Sequence, residues 1–251
     1  MSMKIRLQAR LKDNMSTPKY NKAPVINEDC LILTDMHHPY QDDVFIDECI
    51  ELAKAVGVNA VYLGGDTFDM NEASAYSDNP PEKLIDELRE WRKTDEKLSV
   101  FSRRVFGIGN HEDRIARNRK LSTVDFVRLL VGEEWEVSPY YYAKIHGVWV
   151  GHPTSAAVEA HTKISIAEDS NVAIGHTHHF AMRQSPDGKK LAMQTGCVAD
   201  PEKLKYGNIN NAGSQKQVQG AIIIVKIDGK VTMMPINKFF PATFWRRLIG
   251  Y

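Results

Sequence analysis

Short apolar runs alternate along the chain with longer stretches whose apolar residues recur at helical spacing. CLILTD (30–35) reads as a buried strand. DDVFIDECIELAKAVGV then predicts a helix, with Asp42 or Asp43 as N-cap and an apolar stripe of Val44, Ile46, Cys49, Ile50, Ala53 and Val56. NAVYLGGD predicts a second strand closed by Gly64 and Gly65. PPEKLIDELREWRKTDEKLSVFSRR predicts a long helix, with Pro81 in its first turn and Leu84, Leu88, Trp91 and Leu98 on one side. RVFGIGN is a third strand, and residues 112–131 read as mainly helical. YYYAKIHGVWVGH predicts two short strands around Gly147, SAAVEAHTKISIAE a helix and NVAIGH a further strand. LAMQTG, AIIIVKI and KVTMMPI follow as strands, the last two joined by a hairpin at Asp228-Gly229.

Strands alternating with helices in this way predict an α/β fold whose first half is largely parallel. The C-terminal hairpin makes the second half mixed or antiparallel. Two packed sheets with helices outside satisfy both. The organisation divides into an N-terminal arm or edge segment (1–28), one main domain (29–240) and a C-terminal tail (241–251). Residues 1–28 carry Lys4, Arg6, Arg10, Lys12, Lys19 and Lys22 against Asp13 and Glu28 and read as a solvated arm, with a nucleic-acid- or partner-binding arm as the alternative. The tail, FFPATFWRRLIGY from Phe239, reads as docking on the domain or on a partner chain.

Candidate chemistry sits where the apolar runs stop. Leu31-Ile32-Leu33 leads to Asp35 and His37, and Val61-Tyr62-Leu63 to Asp66. Val105 to Ile108 leads to Asn110 and His111, Val148-Trp149-Val150 to His152, and Val172-Ala173-Ile174 to His176 and His178. Ligands of open α/β sheets gather at the carboxyl ends of strands, so these groups are expected to converge on one edge. Carboxylate, imidazole and amide oxygen form a hard-to-borderline donor set suited to Mn, Fe or Zn rather than Ca or Cu(I). In Asp-x-His and His-x-His an extended strand end would aim both donors to one side. The donors are too many for one ion, and two ions about 3.5–4 Å apart need a bridging carboxylate, for which Asp66 is the candidate. His38, His146, His161 and His179 read as surface or supporting residues.

Composition narrows the class. Of 251 residues, 43% are apolar and 25% charged, with 32 basic against 32 acidic, so no global basic field announces nucleic acid. No apolar run is long enough to span a membrane, and the basic N-terminus has no apolar core of a secretory signal. Cys30, Cys49 and Cys197 form no CxxC pair, which predicts reduced thiols and a cytoplasmic location.

The segments DMH (35–37), GDTFD (65–69), GNHE (109–112), GH (151–152) and GHTH (175–178) together resemble, in order, the motifs of the calcineurin-like metallophosphoesterase superfamily, as its small bacterial and bacteriophage members carry them. The resemblance covers about residues 30–180 through its motifs. It implies a four-layer αββα sandwich of two mixed β-sheets flanked by helices. It also implies two divalent metal ions, Mn first, with Fe, Zn or Ni as alternatives. By position Asp35, His37 and His178 should hold one ion and Asn110, His152 and His176 the other, with Asp66 between them. His111 should act near the leaving group with Asp69 beside it, and hydroxide bridging the ions should attack phosphorus. His152 departs from the family in being followed by Pro153 where many relatives have Gly.

The segment RRVFGIGNHEDRIARNRK holds Arg103, Arg104, Arg114, Arg117, Arg119 and Lys120, which could contact phosphates beyond the scissile one. Arg114, three residues after His111, is the expected phosphate clamp. The loop 200–217, with Gly207, Asn208, Asn210, Asn211 and Gly213, could shape the substrate side together with His161. The expected substrate is a phosphate ester, a diester such as a nucleic acid or nucleotide ahead of a monoester or phosphoprotein. Two other classes remain: a different metal hydrolase and a non-catalytic metal-binding scaffold. The amidohydrolase type wants His-x-His on an early strand, whereas here it comes late.

Overall fold

The computed structural model describes residues 22–74, 83–115, 122–154, 157, 159–204 and 217–250. Outside the described residues lie the basic N-terminus to residue 21, Pro81, the basic residues Arg117, Arg119 and Lys120, and the glycine- and asparagine-rich part of the 200–217 loop.

Strands β1 (Val25–Ile26) and β2 (Cys30–Leu33) come first, then helix α1 (Asp43–Ala55) and β3 (Ala60–Gly64). Helix α2 (Leu84–Leu98), β4 (Arg103–Gly107), α3 (Thr123–Val131) and β5 (Glu136–Ser138) follow. Next are β6 (Tyr142–Ile145), β7 (Val148–Gly151), α4 (Ala160–Glu168) and β8 (Val172–Ile174). Then β9 (Phe180–Gln184), β10 (Leu191–Thr195), β11 (Gly220–Ile227), β12 (Lys230–Asn237) and α5 (Ala242–Leu248) end the chain. One six-stranded sheet has the order β12-β11-β2-β3-β4-β5 and the other β1-β6-β7-β8-β10-β9. The run β2-β3-β4-β5 is parallel, and β11 and β12 join it antiparallel. In the second sheet β7, β8 and β10 run parallel, β6 runs antiparallel to β7 but parallel to β1, and β9 runs antiparallel to β10.

Alternation along each strand builds the layers, because successive side chains point to opposite faces. Cys30, Ile32, Ala60, Tyr62 and Val105 face inward onto Ala143, Ile145, Val150, Ala173 and Met193 of the other sheet. Their neighbours Leu31, Leu33, Val61, Leu63 and Phe106 face outward onto Phe45, Ile46, Cys49, Trp91 and Leu98 of α1 and α2. Trp149, Val172, Ile174 and Ala192 pack against Ala160 and Ile164 of α4 on the far side. The result is a four-layer αββα sandwich. Two helices start at a side-chain cap. Asp42 accepts from the amides of Val44 and Phe45 at the head of α1, and Ser122 from that of Asp125 at the head of α3. Cys30, Cys49 and Cys197 are all free and buried. No helix among the described residues is long and apolar enough to cross a membrane.

Several boundaries differ from the sequence reading. Of the helix expected over 112–131, residues 113–115 and Thr123–Val131 are described as helical, and of that expected over 155–168, Ala160–Glu168. Strands β1, β5 and β9 were not anticipated. The first two hold two and three residues, too short for a periodicity to show. The third is half-buried to exposed along its length, so it lacks an apolar run, and its pairing with β10 makes it a strand. Within segment 1–28, Val25–Ile26 pairs with Lys144 and Ile145 at the edge of its sheet. Within segment 241–251, α5 packs on α1, Trp245 Nε1 donates to Pro235 O at 2.6 Å, and Arg246 meets Glu51 at 2.8 Å. The tail docks on its own domain.

His38 joins α2 to the loop after β3. It is fully buried, with its ring nitrogens 2.7 Å from Thr67 O and 2.9 Å from Thr94 Oγ1. Burial pushes its pKa from 6.5 down to about 4, against the opposing hydrogen bond to Thr67. The unfolded chain therefore binds this proton first as pH falls, so His38 costs stability between the two values. A shift of that size is worth on the order of 3 kcal/mol. Urea denaturation of wild type and His38→Asn should show a stability gap that narrows as pH drops from about 7 to about 4.5. Parallel stability curves would refute the role.

Candidate metal centre

Strands β2, β3 and β4 run parallel in one sheet and β7 and β8 in the other. Their carboxyl ends deliver Asp35 and His37, Asp66 and Asp69, Asn110 and His111, His152, and His176 and His178. The sheets are stitched just beneath this edge, where Thr34 Oγ1 lies 2.9 Å from Thr195 Oγ1. Gly175 lets the second sheet approach: a side chain there would collide with Asp35 Oδ2 and Thr34. Gly109 does the same within the first sheet, since a methyl group would collide with the amide and Oδ1 of Asp66.

The paired donors are not aimed by extended backbone, as the sequence reading expected. Asp35, His37, Asp66, His176 and His178 have φ of 54°, 48°, 50°, 78° and 54°. Non-glycine residues in this left-handed region are strained and persist only where their surroundings fix them. Here Asp35 N donates to Gly65 O at 3.1 Å, His37 N to Asp66 O at 3.0 Å, and His176 N to both Asp35 carboxylate oxygens at 3.0 Å. Such turns cluster at functional sites.

Two donor groups result. In the first, His37 Nε2 lies 3.0 Å from His178 Nε2, and Asp35 Oδ1 lies 3.2 Å from His178 Nε2 and 3.9 Å from His37 Nε2. In the second, His152 Nε2 lies 3.0 Å from Asp66 Oδ2, 3.1 Å from Asn110 Oδ1 and 3.2 Å from His176 Nδ1. Asp66 also falls within 4.8 Å of His37 and His111, so it belongs to both halves. Metal–ligand bonds of about 2.1 Å set neighbouring ligands roughly 3.0–3.4 Å apart in octahedral or tetrahedral geometry. The donor set and its spacing therefore fit divalent metal.

The electrostatics point the same way. Asp35 and Asp66 are 0% and 1% exposed. Burial would raise their pKa values, but His152 and His178 beside Asp35, and His111 and His152 beside Asp66, hold both well below the carboxylate range. Burial works against a charged His152, yet Asp66 and Asp35 lift it to about 9. Burial and a neighbouring imidazole, His111 and His152 respectively, keep His37 and His176 below their usual value. A bound cation and the proton on His152 thus compete for the same carboxylates.

Asp69 supports two rings at once. Its Oδ1 accepts from His37 Nδ1 at 2.9 Å and lies 3.3 Å from His111 Nδ1, while its carbonyl accepts that His111 nitrogen at 2.8 Å. A carboxylate on the far nitrogen of a metal-binding histidine fixes its tautomer and direction. Arg114 donates to the Asp69 carbonyl at 2.7 Å and places Nη2 2.8 Å from His111 Nε2.

The fold thus gathers Asp35, His37, Asp66, Asp69, Asn110, His111, Arg114, His152, His176 and His178 in one place. It does not bring Arg103 and Arg104 there, contrary to the expected basic cluster. They stand at the opposite end of β4, where Arg103 pairs with Glu28 and Glu136, and Arg104 with Asp95. His146 pairs with Asp29 at the turn away from His152, and His161 is buried in the first turn of α4. Glu112, read from sequence as a first-turn residue, does more. Fully buried, it accepts from the amides of Asp66, Thr67, Phe68 and Gly109 at 2.7–3.1 Å. Burial and then Asp66 push its carboxyl up to about 7, against these donors. Its place directly after Asn110 and His111 was the available signal.

No family model matches the chain, and no curated protein does. Among solved structures, it is similar to YfcE, a phosphoesterase from E. coli, at 15% identity over 83% of this chain and 100% of that one, with a TM-score of 0.40. It is also similar to wild-type Vps29 complexed with Zn2+ from Entamoeba histolytica (14% identity, 83% and 98% covered, TM-score 0.37). TT1561 of Thermus thermophilus is a further neighbour (10% identity, 83% and 98% covered, TM-score 0.43). These likenesses are distant, and the site is read from its own geometry.

Gly109→Ala should push Asp66 out of place. Calorimetric titration with Mn2+ should then show affinity reduced by about tenfold or more. Wild-type affinity would mean that Asp66 is not held as described.

Proposed function

We propose, for a chain with the fold and motif order of the calcineurin-like metallophosphoesterases, a hydrolase of phosphate esters that works with two divalent ions, Mn first. The observation that carries this reading is Asp66, shared between two donor groups, one buried and the other mostly so. Asp35, His37 and His178 would hold one ion, and Asn110, His152 and His176 the other. When bound, two such ions neutralise the non-bridging oxygens of a phosphate and lower the pKa of water toward neutrality.

The remaining chemistry belongs to the chain. Burial works against a charged His111, but Asp66 and Asp69 outweigh it and raise its pKa. A raised pKa favours a proton on His111 for the departing oxygen. As the structure stands, Arg114 Nη2 donates to its Nε2, so that nitrogen accepts a bond rather than carrying the proton. That nitrogen becomes available when the guanidinium turns to a phosphate oxygen, which gives Arg114 a substrate-binding role. We keep a diester ahead of a monoester as substrate, so a nuclease or nucleotide phosphodiesterase leads. Three buried thiols suit a reducing compartment, and we place the protein in the cytoplasm.

With Mn2+, an aryl phosphodiester should be cleaved faster than the matching monoester. Asp66→Ala should abolish both activities, and His111→Asn should slow esters with poor leaving groups most. Faster monoester cleavage would overturn the diester assignment, and an active Asp66→Ala would overturn the site. Because the ion in the second group must displace the His152 proton, Mn2+ affinity should rise from about pH 6 to about pH 8. Affinity independent of pH would contradict that linkage.

A further inference from the structure

Glu87 stands within α2 with no solvent exposure and belongs to neither donor group. A buried carboxyl is costly unless it holds something. Its Oε2 accepts the Met70 amide at 3.0 Å. Met70 has a φ of 52°, a left-handed turn that needs support from outside itself. The residue before it is Asp69, whose carboxylate and carbonyl hold the rings of His37 and His111. The Asp69 amide donates to His38 O at 3.3 Å. Glu112 holds the near side of this loop through the amides of residues 66–68, and Glu87 holds the far side.

We propose that Glu87 is a positioning residue of this site: by fixing the Met70 amide it sets the direction of Asp69, and through Asp69 the rings of His37 and His111. The kinetic half of this inference rests on the phosphoesterase reading, and the metal-binding half stands without it. Burial, with Asp69 and Glu112 nearby, lifts the Glu87 carboxyl to about 8. Near neutral pH it is mostly uncharged, so glutamine is a close mimic that still accepts the Met70 amide.

The test uses the full chain, with Mn2+ titration calorimetry, urea denaturation and aryl phosphodiester kinetics. Glu87→Gln should keep affinity and kcat. Glu87→Met, similar in size but without an acceptor, should lose about tenfold in Mn2+ affinity and a comparable factor in kcat, with KM unchanged. Should Glu87→Met fail to fold, Glu87→Asp replaces it, since its shorter carboxyl cannot reach Met70 and should show the same losses. Wild-type affinity and kcat in the Met or Asp variant, whatever its stability, would overturn the proposal. Equal losses in Glu87→Gln and Glu87→Met would overturn it as well. If wild type cleaves no phosphate ester while the variant still loses Mn2+ affinity, the functional reading fails and the role of Glu87 stands.

Discussion

Two carboxylates, Asp35 and Asp66, are buried almost completely in one cleft. Like charges out of water repel and are poorly solvated, so the arrangement requires concentrated positive charge between and around them. The imidazole of His152, 3.0 Å from Asp66, supplies part of it. Divalent cations meet the same demand more fully. Much else at the sheet edge follows from keeping these carboxylates in place: the left-handed turns, the side-chain grip on the loop after β3, and the glycines where strands close in.

The fold meets this constraint by division of labour. Parallel strands bring residues far apart in sequence to one edge, and the Thr34–Thr195 contact fixes one sheet against the other beneath it. The His-x-His pair then serves both halves, His178 beside Asp35 and His37, and His176 beside His152. Carboxylates outside the donor set do the aiming. Asp69 fixes two rings, and Glu112 fixes four amides. Rigid, pre-aimed donors of this kind lower the cost of ordering a site when a ligand arrives.

Much of this was legible in the sequence because it is local. An apolar run followed by Asp, His or Asn marks both a strand and what its end presents, and the long helices announced themselves by period. What was not legible depends on contacts between distant segments. Nothing in the order of residues says that Glu112 turns back to the amides of 66–68, or that Arg103 and Arg104 lie at the wrong end of β4 for the site. Strand β9 exists through its partner β10 rather than its own pattern. The reach of Asp-x-His was read correctly as convergence, but for the wrong backbone: left-handed turns, not an extended strand, aim the donors.

The central claim is that Asp66 stands between two ions. Anomalous diffraction at the manganese edge from crystals grown with Mn2+ tests it directly. Two peaks about 3.5–4 Å apart with Asp66 between them are expected, one beside His37 and His178 and the other beside His152 and His176. A single peak, or two that do not share Asp66, would contradict it.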